Sequence, residues 1–320
     1  MRHLFIVDPL AGLHVTQDTT VTFMREAARR AQQVFACELS DLVAGPQGVP
    51  QAVVTQLTLD PADDDAWYRA GPPRDAPLSE FDVVWMRKDP PYDLSYFTAT
   101  HLLSLVTPPT LVVNDPSGLR EVTEKLFVLR YPDLTPESLV SRSMAALQAF
   151  REKLGGEMVI KPVEGCGGEG VFHLTPGDRN VTALLELSTQ HETRYLIAQR
   201  YVPEVREGDK RVILLDGEPI GAVLRVPQAH ESRANFHVGG SAARAEISDR
   251  DREIAARLAP GLREHGILFA GIDVIGDWLT EVNVTSPTGI VEINALDGVA
   301  LERQVLDRVE QRVAERRAQS

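Results

Sequence analysis

The feature that most constrains this chain is the stretch at residues 273–287, which reads DVIGDWLTEVNVTSP. It places Asp273, Glu281 and Asn283 among apolar and β-branched residues. Side chains alternate between the two faces of a strand, so Glu281 and Asn283 share one face while the valines beside them take the other. This face must therefore either meet solvent at the edge of a sheet or surround a ligand.

The turn within this stretch decides where the three polar groups lie. Gly276 begins a Gly-Asp pair that predicts a β-hairpin. A two-residue loop would pair Asp273 with Thr280 and turn Glu281 to the opposite face, whereas a three-residue loop ending at Trp278 would pair Asp273 with Glu281. We predict the three-residue loop, because neighbouring carboxylates repel each other unless a cation such as Mg²⁺, which prefers oxygen ligands, lies between them.

Composition narrows the class of protein. The 320 residues are 43% hydrophobic and 25% charged, as in an ordinary soluble protein, and the formal charge of −13 argues against nucleic acid or an anionic membrane as the main partner. The two cysteines, Cys37 and Cys166, form neither a metal motif nor a disulfide framework. No apolar run reaches the roughly 20 residues of a membrane span, and the apolar run before Asp8 is too short for a signal sequence. We therefore expect a cytoplasmic protein.

The first 120 residues alternate strand and helix signals, which favours an open α/β sheet with ligand-facing groups at the carboxyl ends of its strands. The predicted strands are HLFIVD, DVVWMRK and TLVVN, and the predicted helices are TTVTFMREAARRAQQ and SYFTATHLLSLV. Arg87 and Lys88, in the segment MRKDPPYD, follow one of these strands and form a candidate anion site. On position alone, ordinary surface charge explains them equally well.

From residue 121 the pattern changes. The segment TPESLVSRSMAALQAFREKLG predicts a helix with Thr135 as its N-cap, Pro136 at its first position and Gly155 after its end. The elements predicted after it are strands MVIKPV and VFHL, a helix near 181–190, strand RYLIAQRYV, a hairpin that turns at 216–217, a helix near 249–264, the hairpin at 273–283 and a helix over 298–318. The apolar face of that last helix suits either core or a subunit interface; its members are Val299, Leu301, Val305, Leu306 and Val309.

The segment GCGGEG spells G-x-G-x-x-G at Gly165, Gly167 and Gly170. A dinucleotide site would require a helix to begin there, but the segment leads into the strand VFHL. We predict instead a strand–glycine–strand flap whose backbone N–H groups face phosphate oxygens, with Lys161 just upstream. A mobile surface loop is the simpler alternative. Cys166 has no persuasive histidine partner and is interpreted as a bystander.

Lys125, Lys161, the glycine flap, the strand ending in AQRYV and the acidic hairpin occur in the order of an ATP-grasp carboxylate–amine ligase, which this layout resembles. Four segments are similar, in the same order, to bacterial glutathione synthetases. They are MRKDPPYD, EKLFVLRYPDLTPESLVSR, GDKRVILLDGEPIGAVLRVPQ and GIDVIGDWLTEVNVTSPTGI. The resemblance covers essentially the whole chain. It implies ligation of γ-glutamylcysteine to glycine with ATP, through an acyl phosphate, or else a related ligation with another amine acceptor or γ-glutamyl substrate.

The resemblance also implies an α/β architecture in three parts. These would be an open α/β pre-ATP-grasp domain at 1–120, a central ATP-grasp lobe with the flap at 121–203, and a C-terminal lobe with the metal hairpin and a substrate lid at 204–320. The family further suggests a homo-oligomer with small-molecule substrates. A nucleotide-binding protein without catalysis is the third hypothesis, and the complete Asp/Glu/Asn set argues against it.

Site residues follow from the resemblance position by position. The residues expected to bind ATP are Lys125, Lys161, Gly167, Gly168, Gln199, Arg200, Tyr201, Val202 and Asp209. The expected ligands of two Mg²⁺ ions, or of Mn²⁺ in their place, are Asp273, Glu281 and Asn283. The expected catalytic residues are Arg211, Arg225 and Arg233. Of these, Arg211 would neutralise charge at the phosphoryl or acyl group, and Arg225 would help to seat the peptide substrate. The residues expected to seat the peptide substrate are Arg87, Lys88, Asp89, Ser286, Pro287 and Thr288.

Two departures from the family pattern concern the substrates. The segment VPQAHESRANFHVGG has Ala229, His230 and Ala234 where the family tends to have glycines. If this segment is a lid, having fewer glycines would stiffen it. Val291 stands where an arginine is expected. Both changes leave strict specificity for glycine open.

Overall fold

The structure is a computed structural model that describes residues 1–60, 64–165, 167–228 and 240–319. Its helices are α1 (Thr19–Arg29), α2 (Leu94–Leu103), α3 (Pro116–Glu121), α4 (Met144–Lys153), α5 (Val181–Ser188), α6 (Asp249–Glu264), α7 (Ile290–Asp297) and α8 (Leu301–Gln319). The strands of its first sheet are β1 (Arg2–Ile6), β2 (Gln33–Cys37), β3 (Leu42–Ala44), β4 (Pro50–Leu59), β5 (Tyr68–Ala70), β6 (Arg74–Pro77), β7 (Val83–Met86) and β8 (Leu111–Val113). The strands of the other two sheets are β9 (Ser138–Ser141), β10 (Met158–Pro162), β11 (Phe172–Leu174), β12 (Leu196–Gln199), β13 (Asp209–Leu215), β14 (Glu218–Val226), β15 (Ser241–Arg244), β16 (Phe269–Ile275) and β17 (Trp278–Asn283).

The amino-terminal sheet has the order β3-β4-β2-β1-β7-β8, and β5 and β6 both pair with β4. Strands β2, β1, β7 and β8 run parallel, which confirms the predicted open α/β unit. Strand β7 is buried along its whole length, as expected of a parallel strand with cover on both faces. Helix α1 begins at a predicted position because the Asp18 carboxylate caps it, accepting hydrogen bonds from the N–H groups of Thr20 and Val21.

The central sheet has the order β11-β10-β12-β9, and helices α4 and α5 pack on one of its faces. Here the predicted helix from Thr135 is wrong in its first part. Residues 138–141 form strand β9, and helix α4 begins only after Ser143 caps it. The physical reason is tertiary, because Leu139 and Val140 pair with β12 and this pairing outweighs the local helix-capping signal.

The carboxy-terminal sheet has the order β15-β14-β13-β16-β17. The predicted turn at Asp216 and Gly217 is confirmed, and both residues have positive φ, 54° and 82°. Helix α8 packs its apolar residues against α1, so the core interpretation of that face is correct apart from Val299, which is exposed. None of the helices in the described part of the chain combines the length and apolar character that crossing a bilayer requires.

The hairpin of β16 and β17 differs from the prediction in its loop. Ile275 pairs with Trp278, so the loop has two residues, and the predicted three-residue loop is wrong. The ladder then shifts register beside Asp273, where Thr280 is an extra residue on β17. Because of this bulge, Asp273 pairs with Glu281, as predicted.

Candidate active site

A cleft lies between the central sheet and the carboxy-terminal sheet. The residues that line it are Lys125, Val159, Lys161, Pro162, Gly165, Gly167, Gly168, Glu169, Val171, His173, Gln199, Arg200, Tyr201, Val202, Val205, Asp209, Asp273, Ile275, Thr280 and Glu281. On the central side, Val159 pairs with both His173 and Gln199, which places these three side chains on one face. The lining of the cleft thus includes most of the residues predicted to bind the nucleotide and the metal.

Asp273 is the buried centre of the acidic cluster. Both of its carboxylate oxygens accept hydrogen bonds from Arg211, Oδ1 from Nε and Oδ2 from Nη2 at 2.9 Å. Arg225 Nη2 lies 3.0 Å from Asp273 Oδ2. Burial favours the protonated acid, but the Arg211 and Arg225 guanidiniums outweigh it and hold the pKa of Asp273 well below its usual range. Asp273 therefore stays ionised at neutral pH.

Asp209 shares Arg225 with Asp273. Arg225 Nη2 donates to Asp209 Oδ2 at 2.5 Å. Burial raises the pKa of Asp209 to about 7, with Arg225 opposing the change and the Asp273 charge reinforcing it. Among the described residues, the buried Asp209 Oδ1 has no hydrogen-bond partner. An oxygen of this kind is suited to accept a hydrogen bond from a ligand hydroxyl.

Two buried lysines reach the same cleft from different elements. Lys161, on β10, places Nζ 3.7 Å from Glu281 Oε1 and 3.4 Å from the Thr280 carbonyl. Burial lowers the pKa of Lys161, and the Glu281 charge opposes that shift. Lys125 follows α3, and its Nζ donates to the Gly165 carbonyl at 2.5 Å. The two ammonium groups give the cleft a local positive region in a chain whose net charge is strongly negative.

The glycine segment connects β10 to β11, and no helix begins among the described residues of this segment, as predicted. Gly167 and Gly168 have positive φ, 65° and 81°, which side chains with a Cβ rarely adopt. Both line the cleft. Their backbone is thus placed to approach a ligand closely, as a phosphate-covering flap requires. Cys166 lies outside the described residues.

The segment after β12 forms another wall of the cleft. Gln199 Nε2 donates to Ser138 Oγ at 2.9 Å, which fixes the side chain that ends the strand. Arg200 pairs with Glu137 at 2.8 Å. Tyr201 stacks on His173, with ring centroids 3.8 Å apart. Sequence reasoning missed His173; the only signal for it was its place in the strand that closes the flap.

The residues predicted to seat the peptide substrate lie beside the cleft. Arg87 is buried, and its Nη2 donates to the Pro287 carbonyl at 3.1 Å. Lys88 pairs with Asp8 at 2.8 Å. Burial raises the pKa of Asp89, and a hydrogen bond with Ser286 opposes the shift. The structure thus brings the end of β7 to the segment 286–288.

That segment is also tied to the acidic cluster, because Arg211 Nη1 donates to the Thr288 carbonyl at 3.2 Å. Arg211 therefore touches both Asp273 and the segment beside Arg87. The predicted catalytic residue Arg233, together with Ala229, His230 and Ala234, lies outside the described residues.

Glu124 is a second residue that sequence reasoning missed. Its carbonyl accepts a hydrogen bond from Val282 N at 2.9 Å, and its Oε1 accepts one from Thr285 Oγ1 at 2.7 Å. Burial raises the pKa of the Glu124 carboxyl against the hydrogen bond from Thr285. These contacts hold β17 on both sides of Asn283. The position of Glu124 directly before Lys125 was the available signal in the sequence.

The hairpin offers oxygen ligands to a cation. Within the described residues no group of three or more His, Cys, Asp and Glu side chains is arranged for a metal. The donors that the hairpin offers are the carboxylates of Asp273 and Glu281 and the amide of Asn283. Asn283 Nδ2 donates to Asp273 Oδ2 at 3.2 Å. The amide nitrogen of Asn283 is thereby used, and its amide oxygen is the atom that can bind a cation. The Glu281 carboxylate lines the cleft itself. These residues fit a hard divalent cation, because all three supply oxygen.

Comparison with known proteins gives matches over nearly the whole chain. Residues 1–120 match the sequence model of the prokaryotic glutathione synthetase N-terminal domain, and residues 124–298 match that of its ATP-grasp domain. A glutathione synthetase of Brucella melitensis is 45% identical over 96% of this chain and 97% of its own. One of Gloeobacter violaceus is 47% identical over 96% of each chain. The crystal structure of D-cycloserine synthetase DcsG superposes with a TM-score of 0.62 at 18% identity, covering 96% of this chain and 99% of that one, which shows a shared fold.

Proposed function

The chain belongs to the prokaryotic glutathione synthetase family, and from this premise we propose which of its residues carry the reaction. Its activity is ATP-dependent synthesis of glutathione, the ligation of a carboxylate to an amine on an ATP-grasp fold. One observation supports the assignment of residues above the others. The paired carboxylates of Asp273 and Glu281 face Lys161 and Lys125 across one cleft.

The nucleotide would lie along the central side of this cleft. Lys125 and Lys161 neutralise its phosphates, and the backbone of Gly167 and Gly168 covers them. The residues that form the wall against the adenine are Gln199, Arg200, Tyr201 and Val202. Asp209 accepts a hydrogen bond from the ribose, since its buried Oδ1 has no other partner among the described residues.

Divalent cations would bind at the hairpin. Asp273, Glu281 and Asn283 supply the oxygen ligands for two Mg²⁺ ions, for which Mn²⁺ can substitute. When bound, the ions neutralise charge on the β- and γ-phosphate oxygens. Ion pairing of Asp273 with Arg211 and Arg225 keeps this carboxylate ionised, which a metal ligand must be.

The reaction proceeds through an acyl phosphate. A carboxylate oxygen of γ-glutamylcysteine attacks the γ-phosphorus, the bond to the bridging oxygen breaks, and ADP leaves. The glycine amine then attacks the acyl carbon, the bond from that carbon to the phosphate oxygen breaks, and the departing phosphate takes up the proton that the amine loses. Arg211 and Arg225 supply positive charge beside the developing negative charge. Arg233, which lies outside the described residues, is the third catalytic residue of this proposal. The enzyme needs no covalent nucleophile, because positioning and exclusion of water provide the acceleration.

The peptide substrate would be seated between the amino-terminal domain and the segment that follows β17. Arg87 supports this segment through the Pro287 carbonyl, and Asp89 does so through Ser286. Lys88 stays at the rim with Asp8. The residues of the segment that contact the peptide are Ser286, Pro287 and Thr288.

Three broader assignments complete the proposal. The chain divides into a pre-ATP-grasp domain at 1–120, a central lobe at 121–203 and a C-terminal lobe at 204–320. The protein is a cytoplasmic homo-oligomer, and the exposed Val43 and Val53 near the edge of the first sheet support a subunit contact there. Light scattering on the purified protein tests this, and a monomer at micromolar concentration would contradict it.

The decisive experiment measures phosphate release from Mg-ATP with γ-glutamylcysteine, with and without glycine, and identifies the product by mass. We expect release that depends on glycine and a product with the mass of glutathione. Release with a different amine alone would contradict the substrate assignment while leaving the ligase mechanism intact. Absence of release with every amine would contradict the mechanism as well.

A further inference from the structure

An aromatic pair, His173 and Tyr201, lines the nucleotide cleft. The His173 and Tyr201 rings lie 3.8 Å apart with an angle of 13° between their planes. His173 belongs to β11, the strand that follows the glycine segment, whereas Tyr201 follows β12. His173 Nε2 also lies 2.9 Å from Glu157 Oε1, which holds the ring from its other edge. The pair therefore connects the strand after the glycine segment to the segment after β12, across β10.

The position of this pair along the cleft identifies the part of the nucleotide that it meets. Val159, whose neighbours across the sheet are His173 and Gln199, precedes Lys161 by two residues on the same face of β10. Two residues of a strand span about 7 Å. Since Lys161 is assigned to the phosphates, the row of His173, Val159 and Gln199 lies toward the base. The stacked rings leave no space for a base between them, so the base must rest against the pair.

We propose that His173 is a positioning residue for the nucleotide base, acting through Tyr201. By stacking on Tyr201 and bonding to Glu157, it fixes the width and orientation of the base end of the cleft, and so sets nucleotide affinity. This inference rests on the proposed nucleotide site. It assigns His173 no part in the chemical steps, because His173 lies beside Val159, two residues along β10 from Lys161.

The test compares His173→Ala, His173→Leu and His173→Phe. Aromatic pairs contribute enough free energy that losing the stack should raise KM for ATP, and Kd for a non-hydrolysable ATP analogue, about two- to tenfold. We expect kcat to stay within about twofold. His173→Phe retains a stacking ring but loses the hydrogen bond to Glu157, so its ATP parameters should lie between those of the wild type and those of His173→Ala. His173→Leu retains side-chain bulk without the ring and should resemble His173→Ala.

Two outcomes would overturn the inference. One is an unchanged analogue Kd in His173→Ala. The other is an equal analogue Kd in His173→Leu and His173→Phe. This comparison decides the question even if circular dichroism shows that His173→Ala does not fold. Lys161→Ala serves as the reference. If it also leaves the analogue Kd unchanged, the proposed nucleotide site is wrong; if it weakens binding while the His173 variants do not, this inference alone fails.

Discussion

Asp273 and Glu281 face each other across the last hairpin because one extra residue, Thr280, shifts the register between them and the turn. Thr280 also fixes the bulge, since its Oγ1 donates to the Asp273 carbonyl at 3.1 Å and its own carbonyl lies 3.4 Å from Lys161 Nζ. The bulge thus aligns two carboxylates and directs a lysine from the other sheet toward them.

Glu281→Gln should lower kcat by about two orders of magnitude or more while leaving the fold intact, because a neutral amide is a poorer ligand for the cation that stabilises transferring phosphoryl groups. Steady-state kinetics across Mg²⁺ concentrations, together with thermal unfolding, would measure both effects. Asp277→Asn, at the exposed turn of the same hairpin, is the matched control and should be near wild type. Near-normal turnover of Glu281→Gln at limiting Mg²⁺ would refute the metal assignment.

Lys161→Ala should raise the dissociation constant of an ATP analogue about ten- to a hundredfold, since it removes a buried charge-assisted contact to phosphate. Isothermal titration calorimetry measures the change directly. Lys153→Ala removes a lysine whose side chain is 68% exposed, and it should bind the analogue normally. Equal affinity in the two variants would place the phosphates elsewhere.

Glu124→Ala should reduce activity and weaken binding of Mn²⁺ together with the ATP analogue, because it frees Thr285 beside the metal hairpin. Glu124→Gln keeps an oxygen that accepts the Thr285 hydrogen bond, so it should recover most of both properties. Electron paramagnetic resonance of Mn²⁺ reports binding independently of turnover. If the glutamine variant is as impaired as the alanine variant, the Glu124 charge matters, and a purely positioning role is wrong.

Gly271→Ala should lower both stability and kcat. A Cβ at this position would lie 2.8 Å from Arg211 Cδ and 3.2 Å from Pro287 Cβ, so Arg211 would have to move from Asp273. Overpacking of this kind costs about 1–3 kcal/mol in the free energy of unfolding, which denaturant titration measures. At Gly12 a Cβ would meet nothing within 4 Å, and Gly12→Ala should be neutral. A neutral Gly271→Ala would show that Arg211 has room to shift.

The free energy of unfolding should fall as the pH decreases from about 6.5 to about 4. Burial lowers the pKa of His3 to about 4, against the hydrogen bond from its ring to Gln32. In the unfolded chain the His3 imidazole binds a proton near pH 6.5, whereas in the folded protein it stays neutral down to about pH 4. The contribution of His3 to the free energy of unfolding is therefore complete above pH 6.5. It is lost, by roughly 3 kcal/mol in all, as the pH falls to the pKa of His3 in the folded protein.

Urea titrations at several pH values measure this slope in the wild type and in His3→Gln. The glutamine variant cannot titrate at this position and should show a flatter profile between pH 6.5 and 4. Parallel profiles would mean that other groups account for the acid sensitivity.

Much of the fold could be predicted because its signals are local. The apolar β7, the Asp18 cap of α1 and the turn at Asp216 and Gly217 each depend on residues close in sequence. Strand β9 was wrongly predicted as helix because the interactions that form it are not local. Its partner in β12 lies more than fifty residues away, and no local pattern reports that pairing.

The sequence by itself determined which groups are available at the site, namely two lysines, a glycine segment and the donors of one hairpin. It also indicated that Asp273 and Glu281 lie side by side, although through the wrong loop. Only the tertiary structure decided how the hairpin achieves this alignment, that Glu124 holds β17, and that His173 stacks on Tyr201. The physical reason is that turns and side-chain alternation follow from neighbouring residues, whereas bulges, buried hydrogen bonds and ring contacts depend on packing between distant segments.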